Sequence, residues 1–242
     1  MTTISTTLAN GVGTIFLDRP KKRNALNRPM CVDLRRAVRD MDASSDVRLI
    51  LLRAKGPVFC AGADIDERAT LDDDGVRARR LLAFAAYSTI ESVGKPCVAV
   101  VEGPAIGSGA EIATACDFIV ATEHARFKFP EAAMGTIGAT QRLPAIVGRW
   151  HAKELLFTGR EIDAHEGRLI GLVSRLISAD MLSSELTVLC NAIMSAPPSA
   201  LAAAKRCVDA AADQDRRAAL ASELLSIESM LIDENWEDRM RP

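Results

Sequence analysis

Aromatic residues are scarce in this chain of 242 residues: one Tyr, two Trp and seven Phe make up 4% of it. So few rings cannot build the stacking platforms on which single-stranded nucleic acid is held. Neither sign of charge is in excess. The 30 Lys and Arg stand against 32 Asp and Glu, a formal net charge of −2, where nucleic-acid binders concentrate positive charge on one face. The three histidines (124, 151 and 165) are dispersed, which points away from a metal centre and from a His-based triad. The six cysteines (31, 60, 97, 116, 190 and 207) include no C-x-x-C and no short pair. A zinc site would cluster its ligands, so they read as reduced core thiols. No window approaches 18 consecutive apolar residues, the least a spanning helix needs. The first residues, MTTISTTLANGVGTIFLD, lack the basic start and apolar block of a signal peptide. A soluble, cytoplasmic protein is expected, with no membrane and no nucleic acid as partner.

Apolar residues reach 48%, so the core must be built mainly from Ala, Val, Ile and Leu. A chain of this length buries roughly 70–75% of its unfolded surface on folding and needs no disulfide or metal staple. The alternating runs Ile4 to Leu8 and Val12 to Leu17 flank Asn10-Gly11, a strong hairpin signal. Pro29 opens an amphipathic helix to about Ser44, with Met30, Leu34, Val38 and Met41 on one face. Residues 47–53 and 96–101 read as buried strands, and 118–121 as a third, followed by the stretch ARFKF. Helical segments are expected over about 64–92, with a charged break at Asp72-Asp73-Asp74-Gly75, and another helix from about Ser108. This alternation of strand and helix over 47–130 is the pattern of right-handed crossover units. Beyond about residue 140 the chain turns mostly helical, with an apolar run at 172–177 and helices at about 181–195, 199–212 and 216–232. The expected division is an α/β core over 1–180 and a helical C-terminal region over 181–242.

Three places carry chemistry in principle, each where a strand ends in small residues before a helix. In Cys60-Ala61-Gly62-Ala63-Asp64-Ile65, glycine and alanine let a ligand approach the backbone closely, or Asp64 simply caps a helix with Glu67 completing the box. In Gly107-Ser108-Gly109-Ala110-Glu111, Ser108 and Glu111 have the spacing of a capping box. Alternatively, free N–H groups at the helix start polarise a carbonyl. A dinucleotide fingerprint is incomplete here, because Ile112 stands where a Gly or Ala is needed. A nucleophile elbow fails too, since Ile106 and Ala110 flank Ser108. In Pro130-Glu131, Pro130 suits a first helical turn and Glu131 its positive end.

These segments together resemble the enoyl-CoA hydratase/isomerase (crotonase) family. The resemblance is carried by Asp18-Arg19-Pro20, Arg23-Asn24-Ala25-Leu26-Asn27, residues 60–65, residues 107–111, Pro130-Glu131, Gly135-Thr136-Ile137 and Thr140-Gln141-Arg142-Leu143-Pro144. It continues through Leu156-Phe157-Thr158-Gly159-Arg160, Gly171-Leu172-Val173 and Ala196-Pro197-Pro198, about 200 residues in all. It implies a crotonase-like α/β fold of repeated ββα units, with C-terminal helices that assemble a homotrimer or a dimer of trimers. It implies an acyl-CoA thioester as partner, coenzyme A entering as part of the substrate, and no metal or redox cofactor. Ala63 and Ser108 match the two oxyanion-hole N–H positions, and Glu111 and Glu131 match the glutamates of hydratases. Ala61, Gly62, Asp64, Ile65 and Asp66 match the segment lining the thioester and adenine groove, and Arg23 and Ala25 the loop near the coenzyme.

The implied reaction is hydration of a trans-2-enoyl-CoA to a 3-hydroxyacyl-CoA. Double-bond isomerisation, thioester hydrolysis, a specialised dehydration and a non-catalytic acyl-CoA-binding role stand as alternatives. Three features depart from the family pattern. Ser108 stands where Gly is usual, and only Gly138-Ala139 separates Ile137 from Thr140, close after Glu131. The C-terminal residues 234–242 lack the usual Phe-x-x-Lys-Arg tail.

Overall fold

The computed structural model describes residues 3–232. The expected hairpin forms from β1 (Ile4–Ala9) and β2 (Val12–Leu17), paired antiparallel from Ile4 opposite Leu17 to Ala9 opposite Val12. Its turn residues, Asn10 and Gly11, have φ of 50° and 79°, the left-handed pair that such turns require. α1 (Arg28–Ala43) follows, with Asn27 accepting the Met30 N–H at 3.0 Å as its cap and Met30, Cys31, Leu34 and Val38 buried.

A six-stranded sheet runs in the order β1-β2-β3-β4-β6-β9, where β3 is Leu49–Ala54, β4 Cys97–Val101, β6 Phe118–Thr122 and β9 Arg175–Ile177. From β2 onward every neighbour is parallel. A second sheet of three short strands joins β5 (Pro104–Ile106), β7 (Arg126–Lys128) and β8 (Glu161–Asp163). The repeated ββα unit is visible in this pairing. β4 runs into β5 and then α4 (Ser108–Thr114), and β6 runs into β7 and then, past a 3-10 turn at Ala132–Met134, α5 (Arg142–Thr158). β3 runs to Cys60, which bridges Ala105 in the small sheet, and then to α2 (Ile65–Arg68) and α3 (Asp73–Glu91).

Alternation along the strands sorts the core into two layers, as the two-residue side-chain period demands. Ile50, Leu52, Cys97, Ala99 and Val101 face the larger cluster with α1, α3 and α4. Leu49, Leu51, Val98, Val100 and Val120 face the other way, onto Leu182, Leu186, Leu189 and Cys190 of α7 (Leu182–Met194). Each fully buried Leu or Val contributes about 1.5–3 kcal/mol of transfer free energy, so α7 seals a sheet face that water would otherwise wet. α6 (Ala164–Leu169) precedes β9, and α8 (Pro198–Asp213) and α9 (Arg216–Leu231) pack on each other. The six cysteines are free thiols, five buried and Cys207 half-buried. No single helix among the described residues is long and apolar enough to cross a membrane.

One local expectation is shifted and one corrected. The expected break between helical segments is present but falls at 69–72, and the aspartates at 72–74 start the second helix. Asp72 caps α3 by accepting the Gly75 N–H at 2.8 Å, with Asp73 and Asp74 in the first turn, where the helix dipole favours negative charge. Ser108 is not the cap of α4. Gly107 holds that position at φ 51°, ψ −114°, and Ser108 is the first helical residue.

Candidate active site

Three segments distant in sequence meet around a cavity of about 350 Å³, within the range of small-molecule pockets. The first segment follows β3. Leu26 bridges Ala63 in parallel: its N–H donates to the Gly62 carbonyl at 2.7 Å, and its carbonyl accepts the Asp64 N–H at 3.0 Å. In that pattern the residue between, Ala63, turns its own N–H the opposite way, and it meets no backbone acceptor among the described residues. Ala61, Gly62, Ala63 and Ile65 line the cavity.

The second segment is the start of α4. A Cβ on Gly107 would lie 2.9 Å from Glu131 Oε1, and one on Gly109 would lie 2.3 Å from the Cys60 carbonyl oxygen. The glycines on either side of Ser108 are therefore steric requirements, letting the helix start close against both other segments. Ser108 lines the cavity, and its N–H is one of those a helix start leaves without an intrahelical partner.

Glu111, one turn further along α4, is 5% exposed. It does not complete a capping box with Ser108. Its Oε1 accepts the Ala139 N–H at 2.9 Å, and Ala139 adopts φ 55° to aim that donor, a left-handed conformation that costs an L-residue energy. Burial pushes the Glu111 carboxyl above its ordinary value, against the pull of the Ala139 N–H, Arg142, Arg80 and Tyr87.

The third segment carries Glu131. It directly precedes the 3-10 turn, but its side chain makes no capping bond there and turns into the cavity instead. Burial raises its carboxyl too, and the charge of Glu111 raises it further, while Arg80 opposes. Its Oε2 is buried without a hydrogen-bond partner among the described residues. Two carboxyls thus share one cavity, each displaced toward the protonated form by burial, and the charge of Glu111 adds to the displacement of Glu131.

Residues 7–238 match the sequence model of the enoyl-CoA hydratase/isomerase family. The chain belongs to that family. It is 34% identical over 235 residues to a probable mitochondrial enoyl-CoA hydratase of Arabidopsis thaliana, covering 96% of this chain and 77% of that one. It is 39% identical over 202 residues to a probable enoyl-CoA hydratase of Mycobacterium leprae, covering 82% and 77%. Among solved structures, the enoyl-CoA hydratase of Bacillus anthracis superposes with a TM-score of 0.93 at 30% identity, over 96% of this chain and 92% of that one. A putative enoyl-CoA hydratase of Thermobifida fusca, solved in complex with acetoacetyl-CoA, superposes at 0.85 with 26% identity, over 95% of each. The fold is the crotonase fold of these relatives.

Within this family member, Ala61, Gly62, Ala63, Ile65, Ser108, Glu111 and Glu131 come together on the cavity wall. Four residues named with them stand behind or beside it. The Asp64 carboxylate is committed elsewhere: it accepts the Glu67 N–H at 3.1 Å as the cap of α2 and pairs with Arg19 at 2.9 Å. Glu67 leaves the box half-made, since its carboxylate accepts the Arg28 N–H instead. Asp66 is exposed and paired with Lys22 at 2.7 Å. The exposed Arg23 offers its carbonyl to the Ala61 N–H at 3.0 Å, and Ala25 donates to the Lys22 carbonyl at 3.0 Å, so their loop beds the cavity segment from outside.

Sequence reasoning missed Arg80, Phe84, Tyr87 and Arg142. The first three line the cavity from α3, and Val76, Arg80, Ala83 and Tyr87 have the spacing of one helix face, a signal that was available. Arg142 is 6% exposed, bonded to Glu91 at 2.7 Å and stacked 5.5 Å from the Tyr87 ring centre. Among the described residues no group of three or more His, Cys, Asp or Glu could hold a metal ion. The C-terminal motif at 234–242 lies outside the described residues.

Proposed function

We propose that the protein adds water to a trans-2-enoyl-CoA, giving the 3-hydroxyacyl-CoA. One observation carries this reading: Glu111 and Glu131 share a cavity whose wall also includes Ala63 and Ser108, whose N–H groups meet no backbone acceptor among the described residues. The thioester oxygen would lie between those two N–H groups. Attack of water on C3 moves charge onto that oxygen, and fixed donors stabilise it without reorganising. One such donor is worth about 3–4 kcal/mol of barrier. Ser108 serves through its backbone, so its hydroxymethyl group leaves this role intact.

Glu111 would hold the water and take its proton, and Glu131 would deliver a proton to C2. The raised carboxyl of Glu131 supports the donor role, because burial and the neighbouring charge both favour its protonated form. Coenzyme A would run along residues 61–65, with the loop of Arg23 and Ala25 as its outer bed and Asp64 and Asp66 anchoring that segment. Neither a metal nor a redox cofactor has a step to perform. The same reading includes a homotrimer or dimer of trimers, supported by the exposed apolar side chains Val208, Leu220, Leu224 and Leu225 on α8 and α9.

The test is a panel of acyl-CoA thioesters incubated with the purified protein and followed by mass spectrometry. Crotonyl-CoA or a longer 2-enoyl-CoA should gain the mass of one water. Turnover of other thioesters with all 2-enoyl-CoAs left unhydrated would overturn the proposal.

A further inference from the structure

The cavity carries more polar groups than water addition uses. Arg80 and Tyr87 stand seven residues apart on α3, with Ala83 and Phe84 between them, and all four line the cavity. The Arg80 guanidinium donates to Thr136 Oγ1 across the cavity, joining α3 to the loop after Glu131. Arg80 forms no ion pair with a carboxylate among the described residues. Its neighbour Arg79, by contrast, pairs with Glu67 at 3.7 Å and donates to the Leu26 carbonyl at 2.9 Å. Tyr87 is 1% exposed, and its hydroxyl makes no hydrogen bond of full geometry among the described residues. Ser108 and Glu111 are its polar neighbours.

We infer that Arg80, with Tyr87 beside it, recognises a carboxylate on the acyl chain, so that the substrate class is the monothioester of a dicarboxylic acid. The inference rests on the proposed thioester position, which sends the acyl chain past Glu111 and Glu131 toward α3. A guanidinium presents a planar fork of five donors that matches a carboxylate with two parallel bonds. Thr136 takes one donor, and a phenol O–H adds another for the same group. A plain hydrocarbon chain would cover the exposed Arg80 side chain without replacing its bonds to water and would leave the buried Tyr87 hydroxyl unpaired, and a site built to bond a polar group rejects the analogue that lacks it. Arg80 lines the same cavity as Glu111 and Glu131, and its charge acts on both carboxyls. Arg68, Arg79 and Lys128 also line the cavity, so cationic side chains there offset the two carboxyls.

Calorimetric binding of unreactive saturated thioesters tests this apart from catalysis. Succinyl-, glutaryl- and adipyl-CoA are compared with butyryl-, valeryl- and hexanoyl-CoA of equal chain length. At least one dicarboxylic thioester should bind about tenfold or more tightly than its uncharged counterpart, the scale of a charge-assisted hydrogen bond. Arg80→Met should abolish that ratio, Arg80→Lys should keep part of it, and Tyr87→Phe should reduce it by about threefold. The thermal unfolding curve of each variant certifies its fold, and Arg80→Gln substitutes for a methionine variant that fails. Equal affinities within about threefold for all three pairs, or a ratio unchanged in the folded Arg80 variants, would overturn the inference. Loss of the hydratase reading would show instead as absent water addition to every 2-enoyl-CoA, with this binding ratio intact.

Discussion

Gly138 lies directly against Glu131: a Cβ there would fall 2.7 Å from the Glu131 Cγ and 3.1 Å from its Cδ. The short link of Gly138 and Ala139 between Ile137 and Thr140 is therefore part of the seating of both carboxyls, with one residue packing on Glu131 and the next donating to Glu111. Gly138 is not among the residues with positive φ, so alanine suits the backbone and the strain falls on the Glu131 side chain. Gly138→Ala should lower kcat by about tenfold or more, since small displacements of a reacting group are costly, while Tm moves only a few degrees. Combined with Glu131→Gln it should add little further loss. Full additivity of the two changes would show that Gly138 acts elsewhere.

Replacing either carboxyl by its amide tests the acid and base roles. Glu111→Gln and Glu131→Gln should each reduce hydration by at least about 10²-fold, the low end for general acid–base groups. On the proposed mechanism, in which the two act on one water and one alkene, the double variant should fall little below the worse single one. Steady-state kinetics on crotonyl-CoA reads all three; an unaffected single variant would remove that residue from the reaction.

The displaced carboxyl of Glu131 also links pH to stability. Burial first, then the charge of Glu111, holds its pKa in the folded protein above the ordinary 4.5. A carboxyl raised on folding contributes its full stability below its unfolded pKa and loses it as pH rises through the folded value. Glu131→Gln has no such loss. Its Tm relative to the parent should therefore rise as the pH climbs above the ordinary 4.5, as thermal unfolding at several pH values would show. A difference that stays flat, or falls, would contradict the raised pKa.

Asp64 serves the architecture of the site. It caps α2 and pairs with Arg19, with side chains 7% and 18% exposed. Asp64→Ala should cost about 2 kcal/mol, a cap plus a partly screened ion pair, and Asp64→Asn, which can still cap, about half of that. Urea unfolding at constant m-value measures both.

Much of this was legible in the chain because the signals are local. The Asn10-Gly11 turn, the apolar stripe of α1 and the Asp64 cap each depend on neighbours within one or two turns. The misreading of Ser108 has the opposite cause. Its spacing to Glu111 fits a capping box, but the Ala139 N–H, 28 residues away, draws the Glu111 carboxylate inward, and the clearance needed by Glu131 reserves the cap position for Gly107. β5 and β8, three residues each, are too short to display a two-residue period. Arg80 and Tyr87 went unnoticed because a polar residue on a helix face reads as solvated until the fold shows what the face lines.

The central claim is that two carboxyls converge on one alkene while two amides hold the adjoining carbonyl. A crystal structure of the protein bound to acetoacetyl-CoA, with which a relative was solved, tests it most directly. The account requires the thioester oxygen about 3 Å from both the Ala63 and Ser108 nitrogens, with the Glu111 and Glu131 carboxyls beside C2 and C3. A bound thioester whose oxygen avoids those nitrogens, or whose C2 and C3 lie out of reach of either carboxyl, would contradict it.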